Sequence, residues 1–436
     1  MSKLKMISSF FMIVSLSIFF HLNIFADEFM SEFITEKEGE CNKSSDIEKR
    51  FKNYYEKAAD KGNVNAQYYI GKLYYKGKGI EKDYKKAFEY LKKAAEQGHV
   101  DAQYYLGKCY YDGKGVEKDY EKAFEYLKKA ADKGHIDAQY NLGFCYAEGK
   151  GIEEDFKKAF EYWKKAADSG NADAQYNIGC CYIGGLGVEK ADQNKAFEYW
   201  NGAVSEGHAV AQNTLGKCYT EGVGGATDYK KAFEYYKKAA DQDYADAQYN
   251  LGFCYIRGVG VEEDLNKAIE YWKKAADNGH VEAQYNLGAC YTNGEGVEKD
   301  FIKSFEYYKK AADQGYADAQ LMVAISYSYG KGVEENPNKA IEYYKKAADQ
   351  GQADAQYFMG SFYEHGYAVN IDREKAFEYW KKAAEQGHVD AQYCVGVCYA
   401  GGVGVEKDLN KAIEYLKKAA DQGSDAAKET LKKLGN

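Results

Sequence analysis

The feature that most constrains this chain is a repeat with a fixed step. The alanine of a recurring Ala-Gln pair falls at Ala66, Ala102, Ala138, Ala174, Ala211, Ala247, Ala283, Ala319, Ala355 and Ala391. Every step is 36 residues except one of 37, whose extra residue falls near Ala191. A half copy, Tyr54 to Gly62, leads in, and a degenerate eleventh copy is expected to start near Ala426. Self-similarity of this length means stacked supersecondary units, each too small to bury its own apolar face.

The unit at residues 137–170 reads DAQYNLGFCYAEGKGIEEDFKKAFEYWKKAADSG. Its first half places Ala138, Leu142 and Tyr146 at helical spacing. Its second half does the same with Ala159, Tyr162, Trp163 and Ala166. Both read as amphipathic helices, A and B. A capping residue precedes every B helix: Asp83, Asp119, Asp155, Asp192, Asp228, Asp264, Asp300, Asn336, Asp372 and Asp408. Such side chains accept orphan N–H groups of the first turn. Pro337, the chain's one proline, follows Asn336 at the first helical position, where a missing N–H is harmless. Gly149-Lys150-Gly151 and its copies separate the helices, and Gly98, Gly134, Gly170, Gly207 and Gly279 end the B helices, with Asp243 as the exception. Another glycine column, Gly71, Gly107 and Gly143, lies inside the A helix. Glycine there sacrifices roughly 1 kcal/mol of propensity, which points to close backbone contact between helices.

The unit resembles the Sel1-like repeat, a relative of the tetratricopeptide repeat. The matching residues are Ala138, Leu142-Gly143, Tyr146, Gly149, Gly151, Asp155, Lys158-Ala159, Tyr162 and Lys165-Ala166-Ala167. The resemblance covers residues 50–425 and implies an all-α, right-handed α-solenoid of about ten repeats with a concave surface. It also implies an adaptor that holds partner proteins. The cysteine-rich branch of that family carries two cysteines per repeat; here the corresponding places hold residues such as Ala131 and Gln139, so the likeness is to the fold and not to its disulfides.

With the ruler alanine numbered zero, offsets 0, 4, 5 and 8 hardly vary and span roughly 0° to 140° of the A helix, its packing face. Offsets 3, 6, 9 and 10 vary. Offset 6 includes Lys72, Lys108, Phe144, Lys217, Phe253 and Ile325. Offset 9 includes Tyr75, Tyr111, Ile183 and Ile256. Offset 10 includes Glu148, Glu221, Arg257, Asn293, Tyr329 and His365. The first helix lines the concave side in tetratricopeptide-like stacks, so these residues form the candidate partner-binding face. Drift on an exposed helix is the competing explanation; Phe144 and Phe253 favour a groove.

Residues 1–26 carry Lys3 and Lys5, an apolar run from Ile7 to Phe25, and Ala26 before a polar stretch. That is the pattern of a secretory signal peptide cut after Ala26, with residues 27–50 a polar leader and 51–436 the solenoid. An uncleaved anchor is the alternative, since the run nearly spans a bilayer. The expected location is therefore periplasmic or secreted, with membrane contact only through an uncleaved N terminus.

Chemistry is not expected. The net charge of −9 mixes 59 basic with 68 acidic residues, which gives no electrostatic reason for a nucleic-acid partner. Of ten cysteines, seven share offset 7: Cys109, Cys145, Cys181, Cys218, Cys254, Cys290 and Cys398. Equivalent positions in packed helices lie about 8–10 Å apart, beyond disulfide reach, so the column reads as small core residues. His99, His135, His208, His280 and His388 sit a repeat apart, too far to share a metal, and read as turn residues. Cysteine-rich relatives are described as penicillin-binding or β-lactamase proteins. That serine chemistry needs SxxK, SDN and KTG, and the mature chain has Ser328-Tyr329-Gly330-Lys331 alone. The expectation is a protein or peptide ligand, with no catalytic residue, metal or cofactor.

Overall fold

The computed structural model describes residues 44–77 and 80–435, and side chains from residue 52. The expected signal peptide and most of the leader lie outside that range. Among the described residues there are twenty-two helices and no strand. They alternate as A and B helices of successive hairpins, an α-solenoid of ten full repeats. The chain divides into two compact units, one ending at Ser169 and one starting at Gly170.

The punctuation read from the sequence does its physical work. Asp83, Asp119, Asp155, Asp192, Asp228, Asp264, Asp300, Asn336, Asp372 and Asp408 all accept backbone N–H bonds at the start of a B helix. Asp243 holds φ of 59° where the other B-helix ends use glycine. The last A-type helix, Asp425–Lys433, corrects one register. Ser424 caps Ala427, which is fully buried and stands 36 residues after Ala391, so the ruler position is Ala427 and not Ala426.

Inside each hairpin the A-helix glycine receives a B-helix side chain. A Cβ at Gly143 would stand 2.3 Å from the Trp163 indole nitrogen, and one at Gly71 would stand 2.8 Å from Leu91 Cγ. The expected backbone-to-backbone contact is therefore a socket for a large side chain. In the tryptophan repeats the gap lets the indole N–H reach a carbonyl on the A helix. Trp163 donates to Tyr140 at 3.1 Å, and Trp200, Trp272 and Trp380 donate to Tyr176, Tyr249 and Tyr357 at 3.2 Å. The tyrosine excess has a similar origin. The offset 8 tyrosine of each A helix lies nearly parallel to a B-helix tyrosine, as in Tyr146–Tyr162 at 5.7 Å and Tyr74–Tyr90 at 6.4 Å. Lysines lie over these rings, Lys158 on Tyr146 and Lys165 on Tyr162.

Neighbouring hairpins are joined by two polar devices. The first is the glutamine of the Ala-Gln pair. Gln284 donates from Nε2 to the Ala276 carbonyl at 3.0 Å, in the preceding B helix, and accepts at Oε1 from Gln314 at 2.8 Å. Gln67 with Gln97, Gln320 with Gln350 and Gln392 with Gln422 repeat the arrangement. The fully buried Gln103 lacks it: Lys133 stands where the second glutamine belongs, and Gln103 Oε1 has no hydrogen-bond partner. Lys133 Nζ bonds the Gly98 carbonyl at 3.0 Å instead.

The second device is histidine. The five histidines are more than turn residues; each caps an A helix. His99, His135, His208, His280 and His388 accept the Ala N–H three residues on, at 3.0–3.3 Å to Nδ1. An accepting Nδ1 places the proton on Nε2. That edge faces a carboxylate of the preceding A helix in four cases: Asp101, Asp173, Asp246 and Asp354. Each ring also stacks on a tyrosine of that helix, from Tyr249–His280 at 4.2 Å to Tyr176–His208 at 5.2 Å.

Three predictions follow from this frame. Gly143→Ala should destabilise the chain by about 1–3 kcal/mol in chemical denaturation, although alanine is the better helix former, because its Cβ overpacks the Trp163 socket. Lys133→Gln should raise the denaturation midpoint by the worth of one buried hydrogen bond, about 0.5–1.5 kcal/mol, since glutamine can keep the Gly98 bond as Gln314 keeps that of Gly279. Burial pushes His99 and His280 below the ordinary value of 6.5, against Asp101 at the first and against Glu282 and Asp246 at the second. A lowered folded value makes the neutral cap a stabilising contribution above about pH 6.5, lost as pH falls through the folded value. The melting temperature should therefore drop between about pH 7 and pH 5, and His99→Asn with His280→Asn should flatten that drop, because asparagine caps without titrating, as Asn63 and Asn171 do.

Candidate partner-binding face

The sequence-selected residues all lie on A helices or at their C-terminal ends, and none is fully buried. The structure sorts them into two groups with different surroundings.

In most repeats the offset 9 residue changes with the side chain in the A-helix socket, although Leu416 is accompanied by Ala400. Where that side chain is tyrosine, offset 9 is a hydroxyl: Thr220 bonds the Tyr236 hydroxyl at 3.2 Å, while Thr292 bonds the Gly288 carbonyl at 2.9 Å and Ser328 the Ala324 carbonyl at 3.0 Å. Where it is tryptophan, offset 9 carries no hydroxyl: Ala147, Ile183, Ile256 and Glu364. Where it is Leu91 or Leu127, offset 9 is Tyr75 or Tyr111. Tyr75 packs edge-on against Tyr84 and Tyr105. Tyr111 packs on Tyr120, bonds Glu148 at 3.1 Å and receives Lys150 at 3.0 Å. Ile256 packs against the cores of two successive hairpins. Offset 9 variation is thus tied to packing within and between hairpins, except at Ile183, which is 37% exposed.

Offsets 6 and 10 point away from the core. Lys72 sits over the Tyr68 and Tyr105 rings, and Lys108 over Tyr104. Phe144 and Phe253 meet Trp163 and Trp272 edge-on at 5.2 Å, with Arg257 over Phe253. These phenylalanines therefore have a packing reason as well as an exposed edge. Lys217 and Glu221 are exposed, Asn293 bonds Glu295 at 3.1 Å, and His365 bonds the Ser361 carbonyl at 2.8 Å. Ile325 is half-buried, while Tyr329 is 67% exposed.

One column on this face was not singled out from the sequence. Offset −1 projects at about 260°, between offsets 6 and 10 on the helical wheel. It is acidic in most repeats, including Asp101, Asp137, Asp246, Glu282, Asp318 and Asp390. The same wheel that selected offset 6 could have found it. Offsets −1, 3, 6 and 10 together make one stripe opposite the packing arc.

Elsewhere the chemistry is quiet. Burial pushes the Cys109 and Cys145 thiols up to about 12, and Cys254 and Cys290 to about 11, which makes them poor nucleophiles. Ser328 donates its hydroxyl to the Ala324 carbonyl at 3.0 Å, and Lys331 lies over the Phe301 and Tyr329 rings, so each member of the lone SxxK is engaged in packing. Among the described residues no cluster of three histidine, cysteine or acidic side chains could hold a metal ion. No described helix is long and apolar enough to cross a membrane.

The Sel1 repeat model matches eleven segments, from residues 52–63 through 64–99 and onward to 389–424. Among solved structures, c5321, a protective antigen present in uropathogenic Escherichia coli strains displaying an SLR fold, is 31% identical. The match covers 87% of this chain and 89% of that one with a TM-score of 0.55. A Sel1 repeat protein from Oxalobacter formigenes is 33% identical over 71% of this chain and 89% of its own, with a TM-score of 0.53. Helicobacter pylori cysteine rich protein B is 29% identical over 30% of this chain and 95% of its own, with a TM-score of 0.26. No curated protein sequence matches significantly. Proteins built from this repeat are generally protein–protein interaction scaffolds and generally not enzymes. The ten capped hairpins, the glycine socket in their A helices and the match along nearly all the described residues place the chain in the Sel1 repeat family.

Proposed function

We propose that this chain is an exported scaffold that holds a protein or peptide ligand against the exposed stripe of its A helices. The observation that carries this reading is the division of variable positions. Offset 9 varies with the packing around it, whereas at offsets 6 and 10 Lys217, Glu221, Arg257 and Tyr329 vary at exposed positions of the A helix. Tyr329 is 67% and Val397 40% exposed on this stripe. Tyrosine and aliphatic side chains on a rigid helix are good contact groups, because they offer large area for little lost side-chain freedom.

Export rests on the basic, apolar and small-residue succession of residues 1–26. It agrees with the likeness to a protein described as a protective antigen.

Photo-crosslinking in the native host tests the face. A photoreactive residue at Phe253 or Tyr329 should capture a discrete protein ligand, and one at Glu306 or Glu342 on the B helices should not. Equal capture from both surfaces, or capture from the B helices alone, would move the site off the A-helix stripe. The mass of the mature chain tests export, with a start at Asp27 expected. An intact N terminus in the membrane fraction would replace the secreted scaffold with an anchored one.

A further inference from the structure

The stripe is not electrostatically uniform. Over residues 281–424, in four successive repeats of the second unit, offset −1 is Glu282, Asp318, Asp354 and Asp390. No lysine or arginine occupies any stripe position of these repeats, in a chain with 59 of them. The preceding repeats of the same unit do carry cations there, Lys217 and Arg257. Among the described residues, no lysine or arginine ion pair engages these four carboxylates. Glu282 has His280 at 3.4 Å, and Asp354 has His388 at 3.2 Å and accepts from Gln352 at 3.4 Å.

Beside this acidic row lies an apolar one. Ile325, Met322 and Phe358 are partly buried, with their other edges outward. Val397 is 40% and Tyr329 67% exposed. A row of like charges over a low-dielectric strip focuses a negative potential, and it excludes anionic partners as firmly as it attracts cationic ones. The carboxylates recur once per repeat, so they suit a ligand with several spaced cations and not a single ion. The apolar row adds a demand that a bare polycation cannot meet.

From this juxtaposition we infer that the A-helix stripe of residues 281–424 takes a polypeptide segment in which lysine or arginine recurs among apolar side chains. The inference rests on the scaffold reading above and supplies the chemistry of its ligand. The cations lie along Glu282, Asp318, Asp354 and Asp390, and the apolar side chains lie against Ile325, Tyr329 and Val397.

The test uses the full mature chain and fluorescently labelled peptides of about twelve residues, long enough to touch several repeats. One is built from Lys-Leu-Ser triplets, one from Glu-Leu-Ser and one from Lys-Ser-Ser. The Lys-Leu-Ser peptide should bind, more weakly as salt is raised, and the other two should bind at least about tenfold more weakly. Glu282→Gln with Asp318→Asn and Asp390→Asn should weaken its binding about tenfold, and so should Ile325→Ser with Val397→Ser. Removing the same charge from the B helices, with Glu306→Gln, Glu342→Gln and Glu378→Gln, should leave binding unchanged. An equal loss in that control would reduce the effect to general attraction by an acidic protein and overturn the inference. No binding of Lys-Leu-Ser, or equal binding of Glu-Leu-Ser, would overturn it as well. Circular dichroism and melting of each variant separate lost binding from lost folding. Crosslinking of a natural ligand at Tyr329 is independent of these peptides, so it can survive their failure and leave the scaffold reading standing with a different ligand chemistry.

Discussion

The rest of the structure depends on the socket that each A helix opens for one B-helix side chain. Glycine in mid-helix sacrifices roughly 1 kcal/mol of propensity, and the chain accepts this in nearly every repeat. What it gains is room. Without a Cβ at Gly143 or Gly252, an indole lies flat on the helix and its N–H finds a carbonyl of the same helix. A large apolar ring is buried with its polar edge satisfied, so it brings no desolvation penalty for an unpaired donor. Repeat 317–352 shows the alternative: Ala324 replaces the glycine, and Tyr344 is fully buried in that hairpin.

Beyond the socket's own bonds, other polar groups work between hairpins. A stack of hairpins with only apolar faces could slide, because dispersion has little directional preference. The glutamine bonds to carbonyls of the preceding B helix have direction, and so do the histidine caps with their carboxylate and tyrosine contacts. Both devices satisfy a group that must be satisfied anyway: the last carbonyls of one helix and the first N–H groups of the next. Register between repeats is thus fixed by the same atoms that terminate the helices. Where histidine is absent, Asn63, Asn171, Gln352 and Ser424 keep the cap bond, and Tyr244 and Tyr316 make no side-chain cap bond.

Much of this was legible in the sequence because it repeats. The helices, their Asp caps, the glycine-terminated turns and the buried cysteine column all follow from rules that act within a few residues, and ten copies made each rule visible. The turn histidines hid more, since their role needs a tyrosine and a carboxylate about 35 residues away, as in His208 with Tyr176 and Asp173. The A-helix glycine was read as backbone contact because composition shows the missing side chain but not what fills its place. The final register went astray at Ala426 for a related reason: Asp-Ala-Ala offers two alanines, and only burial of Ala427 and its bond to Ser424 decide between them. At the candidate face, a helical wheel picked out one arc of the A helix but could not tell Tyr75, which packs against Tyr84 and Tyr105, from Tyr329, which is 67% exposed.

That last distinction changes what variation between repeats means here. In a single chain, a variable column is usually taken either as drift or as a ligand surface. Offset 9 is neither: threonine or serine accompanies tyrosine in the socket, and alanine, isoleucine or glutamate accompanies tryptophan. Once such coupled columns are set aside, the variation left over lies on the outer stripe, where Phe144 and Phe253 pack on tryptophan while Lys217, Glu221 and Tyr329 are exposed. A repeat scaffold therefore separates two kinds of freedom. The socket pair can change only in concert, because an unmatched hydroxyl or a void would be buried. The stripe positions are less tightly coupled, and one frame presents lysines at Lys72 and Lys108 and carboxylates beside aliphatic side chains at residues 281–424.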